Sequence, residues 1–176
     1  MRAKRRVPYR GFALLAALSL AATGMLVAKG NPKNIHALGD LCGLTGTTTL
    51  GTTQEAMLRD ASSKCVAAGK PAVNIITSTD MPSGLRLVQN ARADLVSVNK
   101  FVGDNMVAAN PTTMESAFDV ITGAKIAVGT AKGNPDLVRA LRDGLAAIRA
   151  SGAEKAIYDR YHVDYSLTME PAILTE

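Results

Sequence analysis

The chain has 176 residues, enough for one domain with a core of its own or for one and a part, and its 47% hydrophobic and 20% charged content excludes a disordered chain. The formal charge of +5 is not spread over a basic face: Arg2, Lys4, Arg5, Arg6 and Arg10 account for all of it, and without them the basic residues equal the 15 acidic ones. Nucleic acid is therefore excluded as a partner.

Those five charges precede an apolar run, Gly11 to Ala28, that reads as an export signal. Residues 1–28 are expected to be a signal peptide, cut near Ala22-Thr23-Gly24 or Leu26-Val27-Ala28, or else a signal anchor. Anchoring through residues 11–28 stays open because such a run, as a helix, spans roughly 27 Å, just enough to cross a bilayer. No Cys ends the run to carry a lipid. Residues 29–39 hold the turn formers Gly30, Asn31, Pro32 and Asn34 without periodicity and are expected to be a linker.

The body begins near Asp40. Thr45 to Leu50 is a β-rich run, Thr53 to Ala67 places Ala56, Met57, Ala61 and Val66 near helical spacing, and Ala72 to Thr77 is a buried-type strand. Ser83 to Ala91 is helical, Asp94 to Val98 is a short apolar strand, and Lys100 to Ala109 is helical until Asn110-Pro111. This alternation predicts a parallel sheet flanked by helices, with ligands at the carboxyl ends of the strands. Phe118 to Ile121 and Lys125 to Gly129 follow as two further runs. Asn134 and Pro135 then open a helix whose Leu137, Leu141, Leu145 and Ile148 share a face. Ala153 to Tyr161 is a further helix that turns Ile157 and Tyr158 towards the core, and residues 164–176 are expected to be a loose tail.

Cys42 and Cys65 are the only cysteines. In an exported chain they read as a disulfide, with two buried free thiols as the other option. His36 and His162 are too scattered to make a metal site with them, and no cofactor is implied.

Leu50-Gly51-Thr52-Thr53-Gln54-Glu55 ends a Thr-rich strand and opens a helix. Free N–H groups at a helix start, its dipole and two hydroxyls suit a carboxylate, although Thr at a helix start also serves as a plain cap. Leu41-Cys42-Gly43, this motif, Lys64-Cys65, Gly69-Lys70-Pro71 and Arg92-Ala93-Asp94-Leu95-Val96 together resemble the extracytoplasmic solute-binding proteins of ABC transporters, family 3, polar amino acid type. The resemblance covers about Gly39 to Val163. It implies a type II periplasmic-binding-protein-like fold, with residues 40–121 as the second lobe and 122–163, including the Lys132-Gly133-Asn134-Pro135 turn, as the return into the first.

Nothing in the chain matches the first half of that first lobe, so it reads as a truncated or half receptor. By the resemblance, Gly51, Thr52, Thr53 and Gln54 hold a ligand carboxylate, an ABC permease is the partner, and the first-lobe arginine has no counterpart. Asn99 stands where the family has the Asp that pairs with the α-amino group; Asn accepts a hydrogen bond but brings no charge, and it also suits a helix cap. An enzyme on this fold would need an acid, base or nucleophile in the cleft, and Glu55, Asp60, Asp80, Asp94 and Asp104 read as dipole-stabilising or solvated carboxylates, so no catalytic residue is expected. An interaction module that has lost its ligand is the third class.

Overall fold

The computed structural model describes residues 12–131 and 134–174. In chain order these form β1 (Phe12–Ala28), β2 (Thr45–Thr49), α1 (Thr53–Ala67), β3 (Asn74–Ser78), α2 (Met81–Gln89), β4 (Leu95–Asn99), α3 (Lys100–Ala109), β5 (Met114–Ala131), α4 (Pro135–Ala150), α5 (Ala153–Arg160) and β6 (Thr168–Leu174), with single 3-10 turns at Leu38–Leu41 and Tyr165–Leu167.

The sheet runs β3-β2-β4-β1-β5, with β6 also paired to β1. β2 is parallel to both β3 and β4, as the strand-helix alternation predicts. The all-parallel expectation fails at β1, which runs antiparallel to β4 and to β6, so the sheet is mixed. Two compact units divide the described residues: Ala21–Gly123 with Tyr158–Tyr165, and 12–20 with 124–131, 134–157 and 166–174. β1 and β5 each contribute to both. Gly123, at φ +73°, is the last residue of the first unit on β5; a left-handed backbone inside a strand suits glycine, which has no Cβ to clash. Phe118 to Ile121 and Lys125 to Gly129 lie on this one strand.

β1 corrects the N-terminal reading. Gly11 to Ala28 reads as a leader, yet Thr23 to Val27 pair with Asn99 to Leu95, and Ala22, Met25, Leu26 and Val27 are buried in the first unit. Alternate residues enter opposite layers. Met25 and Val27 pack with Leu41, Leu58, Ala61, Cys65 and Leu95, and Leu26 packs with Leu85, Val88, Val96 and Val98. A strand covered on both faces needs an unbroken apolar run, and hydropathy alone does not separate that from a leader. Among the described residues no helix is long and apolar enough to cross a membrane, and Phe12–Ala28 is extended. The basic residues up to Arg10 lie outside the described residues.

The linker expected at 29–39 is a packed turn. The Asn31 amide donates to the Ile35 carbonyl at 2.8 Å and accepts from the Ile35 N–H at 3.0 Å, and this places Ile35 in the core with no exposed surface. Within the tail expected at 164–176, Thr168–Leu174 forms β6, with Ala172 opposite Ala17 and Ile173 opposite Ala16.

α4 and β6 belong to the same unit. Arg149 on α4 donates to the Met169 carbonyl and to Thr168 Oγ1, and lies 3.6 Å from Glu154 and 3.5 Å from Glu170. Val138 is the buried residue of α4, whereas Leu137 and Ile148 of the expected apolar face stay 45% and 44% exposed. Ile157 is 53% exposed and not turned inward; its neighbour Tyr158 meets Phe101 and Tyr165 edge to face at 6.5 and 5.4 Å between centroids.

Candidate ligand-binding site

Strand β2 ends at Thr49, and three residues, Leu50, Gly51 and Thr52, turn the chain into α1. Gly51 takes φ +76°, a conformation that side chains resist, so glycine is what allows the turn to be this short. Thr52 is the cap: its hydroxyl accepts from the Glu55 N–H at 3.3 Å and donates to the Thr49 carbonyl at 2.7 Å. Glu55 reaches back past the cap to accept from the Gly51 N–H at 2.7 Å, and Arg59 donates two hydrogen bonds to its other oxygen at 2.9 and 2.6 Å. This is a capping box displaced by one residue. The sequence reading of Glu55 as a dipole-stabilising or solvated carboxylate misses this, although the Thr-x-x-Glu spacing signals the box.

The carboxylate expectation is thereby narrowed. Gly51 gives its N–H to Glu55, and the Thr52 hydroxyl is committed at both ends. Thr53 Oγ1 donates to Gln54 Oε1 at 3.2 Å, a long and exposed contact that an incoming acceptor can replace. The N–H groups of Thr53 and Gln54, in the first turn of α1, have no intrahelical acceptor and are the backbone donors left for an anion.

Asn99 ends β4, beside β2, and caps α3: its Oδ1 accepts from the Phe101 N–H at 3.1 Å. Its oxygen is thus occupied by its own helix, as a plain cap requires. Lys100 follows, a cation at a helix start where the dipole disfavours it. Burial pushes its ammonium down, but hydrogen bonds to Asp119 at 2.8 Å and Asp104 at 3.1 Å outweigh that and hold its pKa above the ordinary value. Two carboxylates against one ammonium leave an excess negative charge next in the chain to Asn99.

Thr23 escaped the sequence reading because it lay inside the presumed leader. It is 1% exposed, pairs in register with Asn99, and accepts from Gln54 Nε2 at 3.3 Å. The signal in the sequence is a hydroxyl, like that of Ser19, in a run that is otherwise nearly all apolar. Helix start, Gln54, Thr23 and Asn99 thus meet at the carboxyl ends of β2 and β4. Cys42 and Cys65 form a disulfide with Cα atoms 5.5 Å apart, and no group of three or more metal-ligating side chains occurs among the described residues.

Hydrogen bonds from Gly51 and Arg59 lower the Glu55 pKa, and bonds from Ser83, its hydroxyl first and its N–H second, lower that of Asp80, the cap of α2. A depressed carboxylate contributes stability that is present above its unfolded pKa and lost as pH falls through the folded one. Acid titration of the melting transition should therefore show loss beginning below about pH 4.5. Glu55→Gln should flatten that loss, and an unchanged acid limb in the variant contradicts the role of the Gly51 contact.

The fold is that of type II periplasmic binding proteins, and the chain resembles the family 3 solute-binding proteins of amino acid ABC transporters. An ancestral arginine-binding protein bound to arginine superposes with a TM-score of 0.67 at 22% identity, over 84% of this chain and 63% of the other. A solute receptor for L-cysteine of Neisseria gonorrhoeae gives 0.63 at 20% identity, over 95% and 66%. In sequence, the chain is 26% identical over 136 residues to the L-cystine-binding protein TcyJ of Escherichia coli K12, which is 77% of this chain and 48% of the relative. The chain therefore spans about half the length of the curated relative it matches. No protein-family model matches it.

Proposed function

We propose that the chain is an extracytoplasmic solute-binding component of an ABC-type importer, delivering an amino acid or a related small polar solute to a permease. It uses no catalytic residue, cofactor or metal. Gly51, Thr52, Thr53, Gln54 and Asn99 surround its side of the ligand site, in which Thr53 and Gln54 hold the donors left for a ligand while Gly51, Thr52 and Asn99 shape the turn and the caps. The observation that carries this reading is the start of α1, with the Thr53 and Gln54 N–H groups, at the same sheet edge as the end of β4 in a fold shared with amino acid binders. The Cys42–Cys65 disulfide supports an oxidising, extracytoplasmic compartment. Thr53 supplies the exchangeable hydroxyl, and the two N–H groups supply the dipole end.

The expected affinity is low. Asn99 brings no charge where a charged contact would give an ammonium group about 1.5–3 kcal/mol, roughly 10- to 10²-fold, and the donors left for a carboxylate, the Thr53 hydroxyl and two N–H groups, are all neutral. NMR titration of the chain with L-arginine, L-glutamine and acetate should give millimolar dissociation constants that Thr53→Ala weakens further. Micromolar amino acid binding that Thr53→Ala leaves unchanged would overturn the site.

A further inference from the structure

We infer that Thr23 is a positioning residue for this site, one that favours ligands carrying an ammonium group over plain anions by fixing the amide of Gln54. The inference rests on the reading above. Three observations carry it. The Thr23 hydroxyl is buried, it receives the Gln54 Nε2 hydrogen at 3.3 Å, and its strand position is opposite Asn99. With Nε2 held there, the Gln54 carbonyl oxygen faces the Thr53 hydroxyl, which donates to it at 3.2 Å.

A ligand carboxylate that takes the Thr53 hydrogen releases Gln54 Oε1 from its partner. An oxygen freed in this way accepts from a neighbouring N–H donor, and on an amino acid that donor is the ammonium group. The carboxylate and ammonium thus exchange with one internal hydrogen bond, provided that Gln54 does not swing away when it is broken. Thr23 holds it. Acetate needs only the hydroxyl and the helix N–H groups, so it gains nothing from the Gln54 orientation. Valine matches threonine in shape and lacks the hydroxyl, which makes Thr23→Val the discriminating change; serine keeps the hydroxyl.

NMR titrations of the whole chain with L-arginine and with acetate test this, alongside thermal melts of each variant. Losing one neutral hydrogen bond is worth about five-fold in affinity. Thr23→Val is expected to weaken L-arginine about that much and to leave acetate unchanged, Thr23→Ser to behave as wild type, and Thr23→Val/Gln54→Ala to bind as Gln54→Ala alone. Equal weakening of both ligands, no weakening of L-arginine, or additive effects in the double variant overturn the inference and leave the site assignment standing. Should Thr23→Val not fold, Thr23→Ser and Thr23→Ala decide by the same criterion. A wild-type chain that binds acetate and L-arginine equally also overturns the inference; one that binds neither overturns the site and the inference together.

Discussion

A chain that begins at Lys29 is expected not to fold cooperatively, whereas one that begins at Ala21 keeps the transition of the unit Ala21–Gly123. Met25, Leu26 and Val27 have essentially no exposed surface and serve both core layers. Truncating one buried Leu or Met to Ala costs about 2–5 kcal/mol, so removing all three, together with the ladder to β4, is of the order of the about 5–15 kcal/mol that stabilises an ordinary domain. Leu95 to Asn99 would also lose their antiparallel partner and leave an open edge. The same argument places the mature N-terminus of an exported form at or before Ala21. Urea melts of the two truncations followed by circular dichroism, with mass spectrometry of the exported protein, decide it. A sharp transition for the Lys29 chain, or a mature N-terminus after Ala28, contradicts the place of β1 in the fold.

That expectation follows from the part of the chain least legible in the sequence. α1 and α3 carry local start signals, Thr52 and Asn99, and stops at Gly69 and Asn110, so their bounds follow from neighbouring residues alone. β2, which is Thr-rich, and β3 and β4, with Ile75-Ile76 and Leu95-Val96, are short β-prone runs that pair in parallel with one another, as the alternation implies. β1 and β6 obey no local rule. β1 is defined by partners some 70 residues away at β4 and about 150 away at β6, and a short segment with Pro171 inside it reads as a tail until an edge to pair with is known.

The site divides in the same manner. The Gly51 turn is visible from composition and spacing, while the occupation of Gly51 by Glu55 and of Gln54 by Thr23 depends on side-chain direction and on a strand the sequence disguises. Asn99 is ambiguous for a physical reason: one side chain serves a cap or a ligand with the same oxygen. In the fold it serves the cap.

Replacing both cysteines by alanine is expected to lower the melting temperature by about 6–12 °C while leaving anion affinity unchanged. Cys42 lies just after the 3-10 turn and Cys65 in the last turns of α1, and the bridge closes a sequence separation of 23. In the chain-entropy picture a loop of that size stabilises by about 3 kcal/mol, and each kcal/mol moves the midpoint by about 2–4 °C in a chain of this length. The ligand donors sit at the other end of α1, roughly 18 Å along its axis, and are held by Thr52, Glu55 and Arg59 instead of by the bridge. Stability and binding should therefore separate. Calorimetric melts with and without reductant, paired with acetate titrations of Cys42→Ala/Cys65→Ala, read both quantities. A variant that melts as wild type shows that the bridge does not constrain the unfolded chain. One that loses acetate binding while still folded shows that the start of α1 depends on its far end, contrary to the local network at Gly51.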